Sequence, residues 1–210
     1  MTNIKFKRCL AYLIDLFIIS MLVSLLGEIN FLNPSKDKYH EVAKEYSEYY
    51  ESNFGNTTTI NTSDVLNEEY AGYIYDLNRY ALSNTLTELA VIILYFTLFP
   101  RFNNNQTIGK RLLKIKVVST QDEKVPIWKH FVRSIILPIC ANVIAYNCIT
   151  ILLNMGALFM FKGVNYLNAN LIITYIVNIF CYVDIICMFV RKDNRSLKDI
   201  ICKTRVVEIC

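Results

Sequence analysis

Cys9-Leu-Ala-Tyr-Leu-Ile-Asp-Leu-Phe-Ile-Ile-Ser-Met-Leu-Val-Ser-Leu-Leu-Gly27 is an apolar run of helix length interrupted by one carboxylate, Asp15, with Arg8 at its mouth. About 20 apolar residues suffice to cross a bilayer core as a helix. A carboxylate within such a run costs roughly 3 kcal/mol even on lenient insertion scales, so it persists where a partner, a cavity or a task offsets that cost. Arg8 and Asp15 are seven residues apart, which puts them on nearly one helix face, about 10 Å apart along the axis. The chain is therefore expected to begin with a membrane span whose charged stripe faces protein or water.

Of the 210 residues, 54% are hydrophobic, above the roughly 45–50% of soluble domains. The excess sits in blocks separated by polar stretches. Gly27-Glu-Ile-Asn-Phe31 after the first block lacks a small-residue cleavage pattern, so that block reads as a retained span and not a signal peptide. The seven cysteines avoid the polar segment between Glu28 and Ser83. Cys9, Cys140, Cys181 and Cys187 lie in or beside apolar runs, Cys148 in a later span, and Cys202 and Cys210 in the basic tail. They read as small apolar residues, since a disulfide-held outer domain would place its cysteines in the outer loop. His40 and His130 stand isolated, which gives no zinc spacing and no expected cofactor.

Four spans are expected, at about 9–27, 84–100, 134–161 and 169–190, the third with Pro138 near its start and the fourth with Asp184 inside it. Their orientation follows from the basic residues. Lys5, Lys7 and Arg8 precede the first span; Arg101, Lys110, Arg111, Lys114, Lys116, Lys124, Lys129 and Arg133 follow the second, and Arg191, Lys192, Arg195, Lys198, Lys203 and Arg205 follow the last. The segment between the first two spans is instead acidic. An all-α, multi-pass inner-membrane protein with both termini cytoplasmic accommodates every loop: an outer helical insertion at 28–83, a cytoplasmic loop at 101–133 and a cytoplasmic tail at 191–210.

Ser35 is placed to cap an outer helix carrying Tyr39, Val42, Tyr46 and Tyr50, which Asn53-Phe-Gly-Asn56 ends. Thr57 to Thr62 is a polar linker, and Asp64 is placed to start a second helix through Tyr70, Tyr73 and Leu77. Eight tyrosines in this insertion suit an amphipathic hairpin at the outer interface. Inside, Lys114-Ile-Lys-Val-Val-Ser119 and Thr204-Arg-Val-Val-Glu-Ile209 are β-branched and are expected to pair as short strands, with Gln121-Asp-Glu-Lys124 as a turn and Trp128 anchoring the re-entering chain.

Three stretches together carry a resemblance: Arg8-Cys-Leu-Ala-Tyr-Leu-Ile-Asp15; Asn105-Gln-Thr-Ile-Gly-Lys-Arg-Leu-Leu-Lys-Ile-Lys-Val-Val118 followed by Arg133; and Arg195-Ser-Leu-Lys-Asp-Ile-Ile-Cys-Lys-Thr-Arg-Val-Val207. Their order and spacing resemble the RDD family of small bacterial integral membrane proteins, named for one arginine and two aspartates. Arg8 and Asp15 match the first two signature residues. Asp199 is the best match to the second aspartate, with the intramembrane Asp184 competing. The sequence departs at Lys198, where the family usually has His, at Cys202-Lys203, and in its long outer insertion. The resemblance implies a transport role.

Asp15 and Asp184 each lie seven residues from an inner-boundary arginine, so two carboxylates at matching depth are placed to share a proton or a cation, with Glu88 nearer the outside. The competing reading has Asp15 accept hydrogen bonds from Arg8 or Arg133 and lock helix packing. Gln106, Thr107, Gly109, Lys110 and Arg111 do not make a phosphate loop, because no glycine stands at 104, and the basic residues are assigned to anionic headgroups. Asn56-Thr-Thr58 and Asn61-Thr-Ser63 match glycosylation acceptors only formally. No catalytic constellation is seen, so no enzyme is expected. The expected function is movement of an ion or small polar solute by Arg8, Asp15, Asp184 and Glu88. The alternative is a non-transporting accessory or assembly subunit. The partners expected are the bilayer and either further copies of the chain or another membrane protein, and no nucleic acid.

Overall fold

The computed structural model describes residues 4–55, 67–121, 124–135 and 148–209. Pro138, Cys140, Asp64, both formal glycosylation triplets, the polar linker from Thr57 to Thr62 and the Asp122-Glu123 turn lie outside them. The chain divides into two compact units, one of residues 1–24, 88–149 and 176–210, the other of residues 25–87 and 150–175.

Most of the described chain is helical, because its long apolar blocks satisfy their backbone groups internally. Helix α1 spans Ile4–Gly27. Its buried residues Ala11, Asp15, Leu16 and Ile19 form one stripe, while Leu13, Phe17, Met21 and Leu25 are exposed opposite. The helix starts five residues before the expected span, so Arg8 is a helical residue. In the other unit, α2 spans Lys36–Phe54 and α3 spans Glu68–Tyr80, capped by the Asn67 side chain on the Glu69 amide. Ser35 stands at the N-cap of α2, but its side chain makes no cap bond. Tyr46 packs between Tyr50, Tyr70 and Tyr73, with ring centroids about 6 Å apart, which joins α2 to α3 through aromatic contact.

Helix α4, Leu82–Ile93, continues through a π-helical turn at Leu94–Leu98 into α5, Phe99–Phe102. A π-turn adds a residue to one turn, and here three successive residues, Tyr95, Phe96 and Thr97, are buried. After α5 come α6 (Ile108–Leu112), β1 (Ile115–Ser119) and α7 (Ile127–Ile135). The face of α7 that is buried is the polar one. Lys129, His130, Arg133 and Ser134 are buried, whereas Ile127, Trp128 and Phe131 are exposed.

Helix α8 is Cys148–Met160, and α9 is Gly163–Val190, opening on Gly163 at φ +52°, a conformation that favours glycine. Val177, Cys181, Asp184 and Met188 form the buried stripe of the second half of α9. Among the described residues three helical stretches are long and apolar enough to cross a membrane: Ile4–Gly27, Leu82–Phe102 and Gly163–Val190. The chain ends in α10 (Leu197–Ile201) and β2 (Thr204–Glu208). As the β-branched runs predicted, β1 and β2 pair, antiparallel, with Ile115 opposite Glu208 and Ser119 opposite Thr204.

The strand pair exposes an internal repeat. Asn105–Thr120 and Asn194–Ile209 follow the same path at an offset of 89 residues (194 minus 105). Asn105 and Asn194 have φ of 60° and 56°, Thr107 and Ser196 are N-caps, α6 and α10 each have five residues, and Lys114 and Lys203 have φ of 53° and 49°. Even the flanking bonds correspond: the Thr120 amide donates to the Lys203 carbonyl, and the Ile209 amide to the Lys114 carbonyl. The two copies are related by a pseudo-twofold axis through the sheet.

Candidate functional site

Each short helix receives an aspartate from a long apolar helix. Asp15 on α1 is fully buried. Its Oδ1 accepts from the Tyr95 hydroxyl and the Gly109 amide, each at 2.7 Å, and its Oδ2 accepts from the Thr107 hydroxyl at 2.5 Å. The Tyr95 hydroxyl in turn accepts from the Ile108 amide at 3.2 Å. Asp184 on α9 accepts from the Lys198 amide at 2.9 Å and from Lys198 Nζ at 3.0 Å. Gly109 and Lys198 are both the second residue of their helix, so the repeat extends to its anchors. The close approach of α6 to α1 requires glycine at 109: a Cβ there would stand 2.2 Å from the Ala11 carbonyl oxygen and 2.8 Å from Asp15 Oδ1.

The third position of the two short helices differs. In α10 it is Asp199, fully buried, whose Oδ2 accepts from Arg8 Nη2 at 2.6 Å and from the Ser196 amide and hydroxyl, while its Oδ1 accepts from Arg133. Arg8 also donates to the Asn194 carbonyl and Arg133 to the Thr204 hydroxyl. Burial alone would raise the Asp199 carboxyl, but the Arg133 and Arg8 guanidiniums outweigh it and hold the group below the usual carboxylate range. In α6 the third position is Lys110. Burial lowers its ammonium to about 8, opposed by Asp15 and assisted by Arg133, Lys198 and Arg8. Burial likewise lowers Lys198, opposed by Asp184. His130, whose Nε2 lies 3.0 Å from Asn105 Oδ1, is pushed down to about 4 by burial and then by Arg133, Lys110 and Arg101.

These groups surround a cavity of about 160 Å³. Arg8, Asp15, Lys110, His130, Arg133, Asp184 and Lys198 are among its polar lining residues, and Tyr12, Leu13, Phe96, Ile185 and Met188 among its apolar ones. Among the described residues no three His, Cys, Asp or Glu side chains are grouped to hold a metal ion.

The family model of the RDD family matches residues 5–203, nearly the whole chain. The chain belongs to the RDD family. No curated protein and no solved structure matches it. In this RDD protein Arg8 reaches Asp199, 191 positions away, and not Asp15; nor does Arg133 bond to Asp15. Local spacing put Arg8 and Asp15 on one face, but the tail brings Arg8 a better-placed carboxylate, and Asp15 is satisfied by neutral donors. Both Asp15 and Asp184 line the RDD cavity, each with its own donors. Glu88 is half-buried on α4 and is not among the cavity-lining residues.

Of the remaining motif residues, Gln106 is buried and donates to the Ile115 carbonyl at 2.9 Å. Thr107 caps α6 while bonding to Asp15, and Arg111 is exposed beside Asn103. Sequence reasoning missed Tyr95, Ser196, Lys198 as the partner of Asp184, Thr204 and His130. Aligning Asn105–Thr120 on Asn194–Ile209 would have found Ser196 and Lys198 as counterparts of Thr107 and Gly109. No local signal marks Tyr95 or His130.

Proposed function

We propose that this RDD protein moves an ion or small polar solute across a bacterial inner membrane, with the cavity at the inner end of its spans as the binding point. The observation that carries the reading is that charged residues from two apolar helices, Arg8 and Asp15 on α1 and Asp184 on α9, line a single cavity together with Lys110 and Arg133. Buried ionisable groups on membrane helices are expensive and mark solute paths by default. In this reading residues 134–161 supply a fourth span, both termini and residues 101–133 lie inside, and residues 28–83 lie outside. The inside-out α7 supports an apolar surround for the inner loop, with Ile127, Trp128 and Phe131 meeting lipid at the interface. No catalysis is assigned, and one protomer with four spans favours an oligomer.

The test is flux in proteoliposomes containing the purified chain. Asp15→Asn keeps an oxygen for Tyr95 and Gly109 and offers Thr107 a donor, so the fold should hold while the charge is lost; flux should fall at least tenfold. No flux above empty liposomes under any ion or solute gradient would overturn the reading. A second reading, a non-transporting accessory subunit, is favoured by the engagement of Asp15, Asp184 and Asp199 with protein donors, the arrangement of a structural latch. A stoichiometric foreign protein copurifying in mild detergent would support it.

A further inference from the structure

We propose that the cavity is an anion site in which Lys110 is the principal ligand group, taking a small oxyanion of the phosphate type, free or carried on a lipid headgroup. This deepens the transport reading by naming its substrate class. The charges around the cavity do not balance. Arg8, Lys110, Arg133 and Lys198 are four cations, set against Asp15, Asp184 and the adjoining Asp199. Two guanidiniums share Asp199, Lys198 takes Asp184, and both oxygens of Asp15 are occupied by neutral donors. Among the described residues the Lys110 ammonium makes no salt bridge, and the Asp15 charge that acts on it has its own oxygens engaged, although Lys110 lines the cavity.

The internal repeat makes the same point independently. The residue corresponding to Lys110 is Asp199, which completes its own helix cap and neutralises two arginines. In the α6 copy a cation stands where that acid would be, beside Arg133, Arg8 and Lys198. An incoming anion would supply the missing negative charge. A cation would add to the existing excess and find every nearby carboxylate oxygen engaged. The space is adequate, since a water needs roughly 10–15 Å³ of such volume, and Tyr12, Leu13, Phe96 and Met188 give the same cavity apolar lining that suits a lipid-borne headgroup.

The test uses the full chain in an uncharged detergent, with its melting temperature followed during titration. One arm compares sodium phosphate with sodium chloride at equal ionic strength; the other compares micelles doped with phosphatidylglycerol or with phosphatidylcholine. Phosphate or phosphatidylglycerol should stabilise the wild type, and whichever arm responds identifies the source. Lys110→Gln should weaken the apparent affinity about tenfold or more, the loss of one charge-assisted hydrogen bond. Lys110→Arg should restore most of it, and Lys44→Gln, an exposed cation on α2 that does not line the cavity, should change nothing. If Lys110→Gln does not fold, Lys110→Met read against Lys110→Arg replaces it. No stabilisation of the wild type in either arm, or an equal response in the Lys110 and Lys44 variants, overturns the proposal. Because binding is read without flux, a chain that binds phosphate but transports nothing loses only the transport reading. One that carries a cation and binds no anion loses only this inference.

Discussion

Asp199 ties α1 and α7 to α10 through a single carboxylate, and its loss should be felt at all three. Asp199→Asn leaves Arg8 and Arg133 buried without a counter-charge, which costs about 3–5 kcal/mol by the usual penalty for breaking a buried pair. Denaturation in detergent should show that loss. Arg8→Ala and Asp199→Ala should be less harmful together than the sum of their separate effects, whereas Arg8→Ala and Asp15→Asn should add, because no bond joins Arg8 to Asp15. His130 gives a pH signature. Its folded value of about 4 lies below the ordinary 6.5, so between those values the unfolded chain binds more protons. Its contribution is therefore complete above about pH 6.5 and is lost as pH falls toward 4. His130→Gln, which can still donate to Asn105, should flatten the melting temperature across that window relative to wild type. The costly charges themselves were legible: Arg8, Asp15 and Asp184 stood out because apolar runs rarely hold them. Their partners were not, since spacing along a helix says nothing about a carboxylate 191 residues away.

Among the elements, α6 tests the fit of residues 101–133 against α1. Gly109→Ala drives a Cβ into the Ala11 carbonyl, a backbone atom that cannot swing aside, so α6 must lift and the Gly109–Asp15 bond must lengthen. Overpacking of this kind costs about 1–3 kcal/mol, and faster proteolysis between Gln106 and Lys116 should accompany the lower melting temperature. Truncation after Asn194 removes α10 and β2, leaving Arg8 and Arg133 without Asp199 and β1 without a partner. Thermal stability should drop although no apolar helix is lost. The strand pair could be read in advance because β-branched residues at Ile115–Val118 and Val206–Val207 had no other use. The π-turn could not, because an extra residue in one turn leaves the hydrophobic pattern of Leu89–Phe99 unchanged. The buried polar face of α7 was hidden for a related reason: a basic, aromatic segment reads as a solvated loop until its neighbours show which side is covered.

For the whole molecule, the proposed topology makes opposite faces chemically distinguishable. An impermeant thiol reagent applied to intact cells should spare Cys210 and label Ser52→Cys; labelling of Cys210 would overturn the arrangement. Three long apolar helices were legible from composition alone, although the first and last start five and six residues early. They extend because Lys7 and Arg8 find partners in the tail and Lys5 at the end of α9, and because Asn165 and Asn168 are compatible with a helix that continues beyond its apolar stretch.

The repeat also imposes an order of events in time. Strand β2 leaves the ribosome 89 residues after β1, a delay of roughly 5–20 s at elongation rates of about 5–20 residues per second. Throughout that interval β1 offers an unpaired edge, and Arg8 and Arg133 await Asp199, the carboxylate that reaches both. Helix α9 must insert before that carboxylate arrives. The sheet thus closes last, and its closure reports that every preceding segment has been made.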